Sequence, residues 1–305
     1  MATSRTLLSV ADLDPDGVRD LIERAESLKQ GETPPHLSGK AIALLFEKPS
    51  LRTRVSFDVA MWQLGGHAIY LSPADVGLGK RESVSDVART LSRYVQAIVA
   101  RTSSHQTLEF LAEEAGVPVI NALSDQEHPC QALGDLLTIT EKKGPLPGLK
   151  VAFVGDGNNV ALSLLLAASL VGMHISIASP PSYSLTSDEV EKAEALARQS
   201  GSRISLVTEP REAVQGADVV YTDVWTSMGQ EDEAHKRRLA FAQYQVNPHL
   251  LAAAKPGALF MHPLPAHHGE EISEGMLDHP QSAVFDQAEN RLHIQKAILL
   301  RSLSA

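Results

Sequence analysis

The chain has 305 residues, of which 43% are hydrophobic and 21% charged, and its formal net charge at pH 7 is −10. This length favours two domains, the composition is that of a globular protein, and the acidic balance argues against broad nucleic-acid binding. The sequence has no apolar run long enough to span a membrane, no apolar segment resembling a signal peptide, and a single cysteine, Cys130. We therefore expect a cytoplasmic protein without disulfides that binds neither membranes nor nucleic acid.

The first half of the chain alternates short apolar runs with amphipathic segments. Strands are predicted at residues 41–46, 68–71, 97–100 and 118–121, and helices at 14–30, 54–64, 83–94, 106–115 and 129–142. This alternation is typical of βαβ units in a parallel sheet. A Pro- and Gly-rich segment, 143–148, then predicts a domain boundary.

The same alternation restarts in the second half. Strands are predicted at 150–154, 175–178, 204–207, 219–222 and 258–261, and helices at 158–171, 187–200, 210–215, 231–243, 248–254 and 288–303. We predict an α/β fold with two doubly wound parallel-sheet domains of similar size, linked by helices. The domains are residues 1–145 and 146–287, and the last helix, 288–305, packs back on the first. Ligands in such sheets bind beyond the carboxyl ends of the strands.

Groups suited to an anionic ligand follow the first strand. Arg52 can hold phosphate oxygens bidentately, Ser50 and Thr53 offer hydroxyls, and the N–H groups that begin the next helix complete an anion cradle. His128 and Gln131, at the start of a later helix, add an imidazole and an amide. This set suits a small molecule that carries both a phosphate and a carbonyl.

The second half begins with a strand and a Gly-rich turn. The match to a dinucleotide fingerprint is weak, because Val160 occupies the third glycine position and no acidic residue ends the next strand. Asn158 or Asn159 can cap the helix or grip an amino acid, and both roles can hold, one for each residue. Asp223, which follows a strand, either pairs with a cationic amine or caps the next turn.

Three histidines and two carboxylates between His262 and Glu271 suggest zinc. Their spacing differs from that of His-Glu-x-x-His, and two prolines impose an extended backbone, so we predict no metal and a loop that presents backbone carbonyls. Arg291 is predicted in the first turn of the last helix. A cation there opposes the helix dipole and indicates an anionic partner.

Together these segments resemble the ornithine carbamoyltransferases of the aspartate/ornithine carbamoyltransferase superfamily, from the first helix to the last. The carbamoyl-phosphate signature Ser-Thr-Arg-Thr-Arg is matched by residues 50–54, His-Pro-x-Gln by 128–131, and Asp-x-Trp-x-Ser-Met-Gly by 223–229. The remaining matches are an arginine at a strand end, an ornithine-side asparagine and a final arginine, namely Arg101, Asn159 and Arg291.

The resemblance implies that the first domain binds carbamoyl phosphate, the second binds L-ornithine, and carbamoyl transfer to the side-chain amine gives L-citrulline for arginine biosynthesis. The catalytic residues it implies are Arg101, His128 and Asp223. Carbamoyl phosphate binding is implied for Ser50, Leu51, Arg52, Thr53, Arg101, His128, Gln131, Leu264 and Arg291. Ornithine binding is implied for Asn159, Asp223, Ser227, Met228, Pro263 and Leu264. No metal or organic cofactor is implied, but a homotrimer is, with each site completed by the neighbour's loop at residues 80–83.

Two positions depart from the family pattern. Leu51 replaces a threonine, which removes a hydroxyl but keeps the backbone N–H. Pro263 replaces the cysteine that lies beside the reacting amine, giving the His-Pro-Leu-Pro form of the aspartate enzymes. An aspartate acceptor would meet the like charge of Asp223, so ornithine stays the prediction. The alternatives are another amine acceptor, such as an N-acylated ornithine or putrescine, and a non-catalytic ligand-binding relative.

Overall fold

The computed structural model describes residues 5–31, 36–79, 81–227 and 229–303. The helices are, in chain order, α1 (Pro15–Lys29), α2 (Leu51–Gln63), α3 (Pro73–Val76), α4 (Val84–Leu91), α5 (His105–Glu114), α6 (Pro129–Lys143), α7 (Asn159–Leu170), α8 (Ser187–Ser200), α9 (Pro210–Val214), α10 (Ala234–Phe241), α11 (Pro248–Leu251) and α12 (Val284–Leu303). The strands are β1 (Ala41–Phe46), β2 (His67–Leu71), β3 (Ala97–Arg101), β4 (Val119–Leu123), β5 (Lys150–Val154), β6 (His174–Ala178), β7 (Ile204–Val207), β8 (Val219–Tyr221) and β9 (Leu259–Met261). Short 3₁₀ segments lie at Val10–Asp12, Pro181–Tyr183, Glu231–Glu233 and Met276–Asp278.

The strands form two parallel sheets, with the orders β2-β1-β3-β4 and β7-β6-β5-β8-β9. All neighbouring strands run parallel. The strand order reverses between β1 and β3 in the first sheet and between β5 and β8 in the second. Such switch points leave a crevice at the carboxyl ends of the two strands, where ligands of α/β proteins bind. The predicted α/β fold with two parallel-sheet domains is confirmed.

Contacts divide the chain into two compact units. Unit 1 takes the chain up to Leu137 and again from Glu289 onward, and unit 2 runs from Thr138 to Ala288. Both divisions fall inside a helix, the first within α6 and the second within α12. Each unit therefore has its own sheet and its own core.

The cores explain why the strands are continuous apolar runs. Every residue of β3 and all but the first of β1 are buried, as expected for parallel strands covered on both faces. In unit 2 the segment Val160–Leu170 of α7 is buried all round, which fits its lack of a polar face. Each fully buried Leu, Ile or Val contributes about 1.5–3 kcal/mol. These rigid strands hold the loops that follow them.

Helix α12 begins at Val284, four residues before the predicted start. The Val284 N–H donates to the Ser282 hydroxyl at 3.4 Å, and the Gln287 N–H donates to the Ala283 carbonyl at 2.8 Å, so helical bonding starts earlier. The prediction that Arg291 lies in the first turn is therefore wrong. Arg291 lies about two turns inside the helix, where the dipole argument does not apply.

Within the part of the chain that is described, no helix is long and apolar enough to cross a membrane.

Candidate active site

In unit 1, the turn after β1 forms the start of helix α2. The Ser50 hydroxyl caps the helix by accepting from the Thr53 N–H at 3.3 Å. Leu51, Arg52 and Thr53 therefore occupy the first turn, whose N–H groups attract an anion. Leu51 is 74% exposed, and the group that it offers to a ligand is its backbone N–H in this first turn.

A cluster of cations lies at the neighbouring strand end. Arg101 ends β3 at an irregularity of the strand register and is only 9% exposed. Burial, together with Arg291 and Arg52, lowers its pKa to about 10. Its Nε is buried without a hydrogen-bond partner among the described residues. Several guanidinium groups that are shielded from water repel one another unless an anion binds between them. This cluster is therefore suited to bind a phosphate.

His128 lies within reach of the same cluster, directly before α6. Burial lowers its pKa well below the ordinary value, and Arg291, Arg101 and Arg52 lower it further. The imidazole is therefore neutral at physiological pH. A neutral imidazole can donate one hydrogen bond to a ligand without adding charge.

Replacing His128 with glutamine should change how stability depends on pH. The folded chain keeps His128 neutral, whereas the unfolded chain binds a proton there below the ordinary pKa of 6.5. The unfolding free energy of the wild type should therefore fall as the pH drops below 6.5, by up to about 1.4 kcal/mol per pH unit. His128→Gln should lack this contribution. Urea unfolding of both proteins between pH 5 and pH 8 checks this. Parallel stability curves would contradict a neutral buried imidazole.

Hydrogen bonds join Arg291 to the two helices that follow β1 and β4. Arg291 donates to Gln131 Oε1 at 2.6 Å and to Thr53 Oγ1 at 3.3 Å. Gln131 Nε2 in turn donates to the buried Asp135 at 2.8 Å, which fixes the orientation of the amide. The Gln131 carbonyl oxygen keeps a second lone pair for a ligand donor.

In unit 2, Asn158 links the turn after β5 to the loop after β8. Its Oδ1 caps α7 by accepting from the N–H groups of Val160 and Ala161, both at 3.0 Å. Its Nδ2 donates to Asp223 Oδ2 at 2.8 Å. The capping role left open between two asparagines therefore belongs to Asn158, and Asn159 is the first residue of the helix.

Asp223 is a buried carboxylate at the second switch point. It follows β8 by two residues and is 6% exposed. Burial raises its pKa above the ordinary 3.8, while His262 and the Asn158 amide act in the opposite direction. A buried carboxylate of this kind gains most from a cationic partner, so the position suits an amine.

A buried arginine fixes both loops around Asp223. Arg237, on α10, pairs with Asp156 in the turn after β5 and donates through Nε to the Trp225 carbonyl. Its guanidinium also lies over the Tyr183 ring, 4.6 Å from the centroid. Burial raises the pKa of Asp156 to about 7, although Arg237 opposes this. Arg237 thus holds the turn that contains Asn158 and the loop that contains Asp223.

Replacing Arg237 with methionine should destabilise unit 2 by about 3–5 kcal/mol, because it leaves Asp156 buried without its cation. Urea unfolding followed by circular dichroism measures the change. Arg198→Met is the matched control, since Arg198 and its partner Glu194 are both mostly exposed and 3.8 Å apart. Equal stability of the two variants would show that Arg237 does not hold these loops.

The predicted carbonyl-presenting loop after β9 is held by His262. The Leu264 N–H donates to His262 Nδ1 at 2.9 Å, and His262 Nε2 lies 3.2 Å from Glu271 Oε1. Leu264 adopts a left-handed conformation, with φ of 57°, and a cis peptide joins it to Pro265. Left-handed non-glycine residues persist only where their surroundings determine them, and they are common at ligand sites. Pro263 and Leu264 are half-buried, so both can meet a ligand.

Two sequence profiles match the chain. The carbamoyl-P binding domain of aspartate/ornithine carbamoyltransferase matches residues 5–141, and the Asp/Orn binding domain matches residues 147–301. The chain belongs to the aspartate/ornithine carbamoyltransferase family. The resemblance seen in the sequence motifs is thereby confirmed.

Relatives in this carbamoyltransferase family match over nearly their whole length. The ornithine carbamoyltransferase of Bacillus subtilis (strain 168) is 52% identical over 97% of this chain and 92% of its own. The anabolic ornithine carbamoyltransferase of Pyrococcus furiosus is 51% identical over 97% of this chain and 95% of its own. Among solved structures, the Pyrococcus furiosus ornithine carbamoyltransferase has a TM-score of 0.96 at 49% identity, covering 99% of this chain and 98% of that one. The Thermus thermophilus enzyme has a TM-score of 0.88 at 47% identity, covering 98% and 99%.

Two motif segments of this carbamoyltransferase chain are held by contacts within the protein. In unit 2, Asn158 donates to Asp223, and the half-buried Ser227 uses its N–H to bind Gln230 Oε1 at 3.0 Å. Met228 and residue 80 of the predicted subunit loop lie outside the described residues. The ligand roles assigned to these residues remain predictions.

Sequence reasoning missed the residues that support the motifs. Arg237 and Asp156 lie among charged residues of ordinary appearance, and the two are 81 positions apart in the sequence. The only local signal was the placement of Asp156 beside a Gly-rich turn. A buried pair of this kind becomes visible only when the fold brings the two loops together.

Proposed function

We propose that this chain transfers the carbamoyl group of carbamoyl phosphate to the side-chain amine of L-ornithine, giving L-citrulline and phosphate in arginine biosynthesis. The observation that carries this proposal is the opposite charge of the two switch points. Unit 1 gathers the cations Arg52, Arg101 and Arg291, whereas unit 2 buries the carboxylate of Asp223. An anionic phosphate suits the first and a cationic amino acid suits the second. The enzymes named above carry this activity in their names.

We assign carbamoyl phosphate to unit 1, the first domain. Arg52 and the first-turn N–H groups of α2, including that of Leu51, would hold the phosphate, with Ser50 and Arg291 contributing. Arg101, His128 and Thr53 would donate to the carbamoyl oxygen. Each such donor is worth about 2.7–4 kcal/mol in comparable oxyanion sites. The carbonyl oxygens of Gln131 and Leu264 are the acceptors we assign to the carbamoyl NH2.

We assign ornithine to unit 2, the second domain. Asp223 would bind an amine of ornithine, and Asn159 and Ser227 its amino-acid end. We also assign Met228, Pro263 and Leu264 to this substrate, from the family motifs that they match. The support for this assignment is the burial of Asp223 and the fixed geometry of its loop.

The transfer joins nitrogen to carbon and releases phosphate. The attacking amine must be neutral, yet its ordinary pKa is about 10.4, as for lysine. Desolvation lowers the pKa of an amine and favours the reactive form. The nitrogen then attacks the carbamoyl carbon, the carbon–oxygen bond to phosphate breaks, and the departing phosphate takes the amine proton. No protein base is needed for this balance, and orientation of the substrates supplies much of the acceleration.

A citrulline-release assay tests the proposal. Carbamoyl phosphate is supplied with ornithine, N-acetylornithine, putrescine or aspartate in parallel. Turnover with ornithine alone is the expected result. Absence of turnover with all four amines would overturn the enzyme assignment and favour a non-catalytic ligand-binding relative.

A second candidate is carbamoyl transfer to another amine, and Pro263 is the observation that favours it. A thiol lies at this position in the pattern of the ornithine enzymes, and proline offers neither a thiol nor a backbone N–H. Turnover with N-acetylornithine or putrescine above that with ornithine would support this candidate. The phosphate site of unit 1 would be unaffected by that outcome.

We also propose a cytoplasmic homotrimer. Leu51, Val55 and Trp62 lie along one face of α2 and are 74%, 51% and 75% exposed. Apolar stripes of this size commonly meet a partner. Light scattering coupled to size exclusion should give three chain masses, and a single chain mass would contradict the assembly.

A further inference from the structure

A tight turn after the His262 loop gathers three metal-binding side chains. The Glu270 N–H donates to the His267 carbonyl at 3.1 Å, and Gly269, with φ of 85°, permits the turn. As a result, ligand atoms of His267, Glu270 and Glu271 lie within 4.8 Å of one another. We call these three residues the turn cluster. None of them has a role in the proposed transfer.

The innermost member of the turn cluster has an unsatisfied oxygen. Glu271 is fully buried, and its Oε1 accepts from the His267 N–H and lies 3.2 Å from His262 Nε2. Its Oε2 is buried and has no hydrogen-bond partner among the described residues. A buried carboxylate oxygen without a donor is costly, which points to a missing cation.

The arrangement of the turn cluster fits a transition-metal ion. His267 Nδ1 lies 3.7 Å from Glu271 Oε2, close to the separation of about 3.4 Å between two ligands bound tetrahedrally to zinc at about 2.1 Å. Glu270 binds Arg238 through Oε1 at 2.8 Å, which leaves its other oxygen for the ion. His267 is half exposed, so it can rotate to complete the geometry.

We propose that the turn cluster is a zinc site with one imidazole and two carboxylate ligands, open to water at the remaining position. One nitrogen and two oxygen ligands are a set that zinc accepts readily. The sulfur that zinc would otherwise prefer is inaccessible, since Cys130 is buried and its pKa is raised to about 12. Zinc at Glu271 would also act on the loop after β9, because Glu271 holds His262 and His262 holds the Leu264 N–H.

Isothermal titration of the full chain with zinc chloride tests the site. One zinc per chain should bind to the wild type, and His267→Ala should weaken this binding by tenfold or more. His268→Ala is the matched control, because the adjacent histidine is also exposed and lies 3.6 Å from Glu274, outside the turn cluster. The control should bind zinc as the wild type does. Equal binding by the two variants, or no binding by the wild type, would overturn the site.

The spectrum of bound cobalt provides an independent measurement. Cobalt(II) titrated into the wild type should give visible absorption bands of a low-symmetry site without thiolate charge transfer, and these bands should be lost in His267→Ala. His267→Ala is preferred to a change at Glu271, because Glu271 is fully buried and its loss can prevent folding. A spectrum that is identical in the two proteins would place the metal elsewhere.

The effect on catalysis rests on the proposed function and is measured separately. Zinc should change the KM for ornithine by threefold or more in the wild type and leave His267→Ala unchanged. Binding of zinc without any effect on the KM for ornithine would overturn the coupling through His262. Absence of citrulline formation before zinc is added would count against the proposed function and leave the binding result intact.

Discussion

Arg52→Gln should raise the Kd for carbamoyl phosphate by about 100-fold or more while leaving the folded protein at least as stable as the wild type. The loss follows from the guanidinium fork, because two charge-assisted hydrogen bonds are worth about 3–6 kcal/mol. The retained stability follows from like charge. Arg52 contributes to the lowered pKa of both Arg101 and His128, so its charge opposes that of Arg101 until an anion is bound.

Two measurements on the same variant check this prediction. Calorimetry gives the Kd, and thermal unfolding without ligand gives the Tm. Arg54→Gln is the matched control on the same helix, because Arg54 stacks over the Tyr70 ring at 3.9 Å and is absent from the cluster. An unchanged Kd in Arg52→Gln would show that the phosphate does not bind at this turn. A large fall in its Tm would show that Arg52 supports the fold.

Asp223→Asn should lower kcat/KM for ornithine by about 30-fold or more and leave the Kd for carbamoyl phosphate unchanged. Removing one charge of a buried pair costs about 2–5 kcal/mol. The asparagine keeps an oxygen that can accept from Asn158 Nδ2, so the loop retains its hydrogen bond. Equal losses for both substrates would argue that Asp223 shapes the fold and does not bind the amine.

The same variant should be more stable than the wild type at neutral pH. The pKa of Asp223 is raised by burial, so the folded chain holds that proton more firmly than the unfolded chain. The stability supplied by the proton is present in acid and is lost as the pH rises through the folded pKa. Asparagine has no such loss. The Tm advantage of Asp223→Asn should therefore shrink toward acidic pH, with Asp188→Asn, an exposed change on α8, as the control.

The sequence predicts the fold well because its signals are local. Apolar runs such as 41–46 and 150–154 are strands in the structure, and Asp14 and Pro15 begin α1 as expected. Since parallel strands need crossover helices, the alternation also predicts the α/β class. The start of α12 was missed because the segment before residue 288 carries no strong capping signal, only a long bond to Ser282.

The site is predictable only in part. Motifs place Arg52, His128 and Asp223 after strand ends. The strand order then locates Arg52 and Asp223 at the switch points, whereas His128 follows the edge strand β4. The contacts that orient them depend on long-range pairing, such as that of Arg237 with a residue 81 positions away. Periodicity and propensity carry no information about such pairs, because they describe neighbours along the chain.

Asn158 shows how a common local role can become restrictive. Asparagine, aspartate and serine cap helices almost equally well, so the start of α7 by itself would tolerate any of them. Here the oxygen of the side chain is committed to the helix and the nitrogen to Asp223. Loss of that amide by spontaneous deamidation would leave the cap intact yet set one carboxylate against another. Deamidation of this one side chain would thus impair binding of the acceptor amine in a protein that still appears correctly folded.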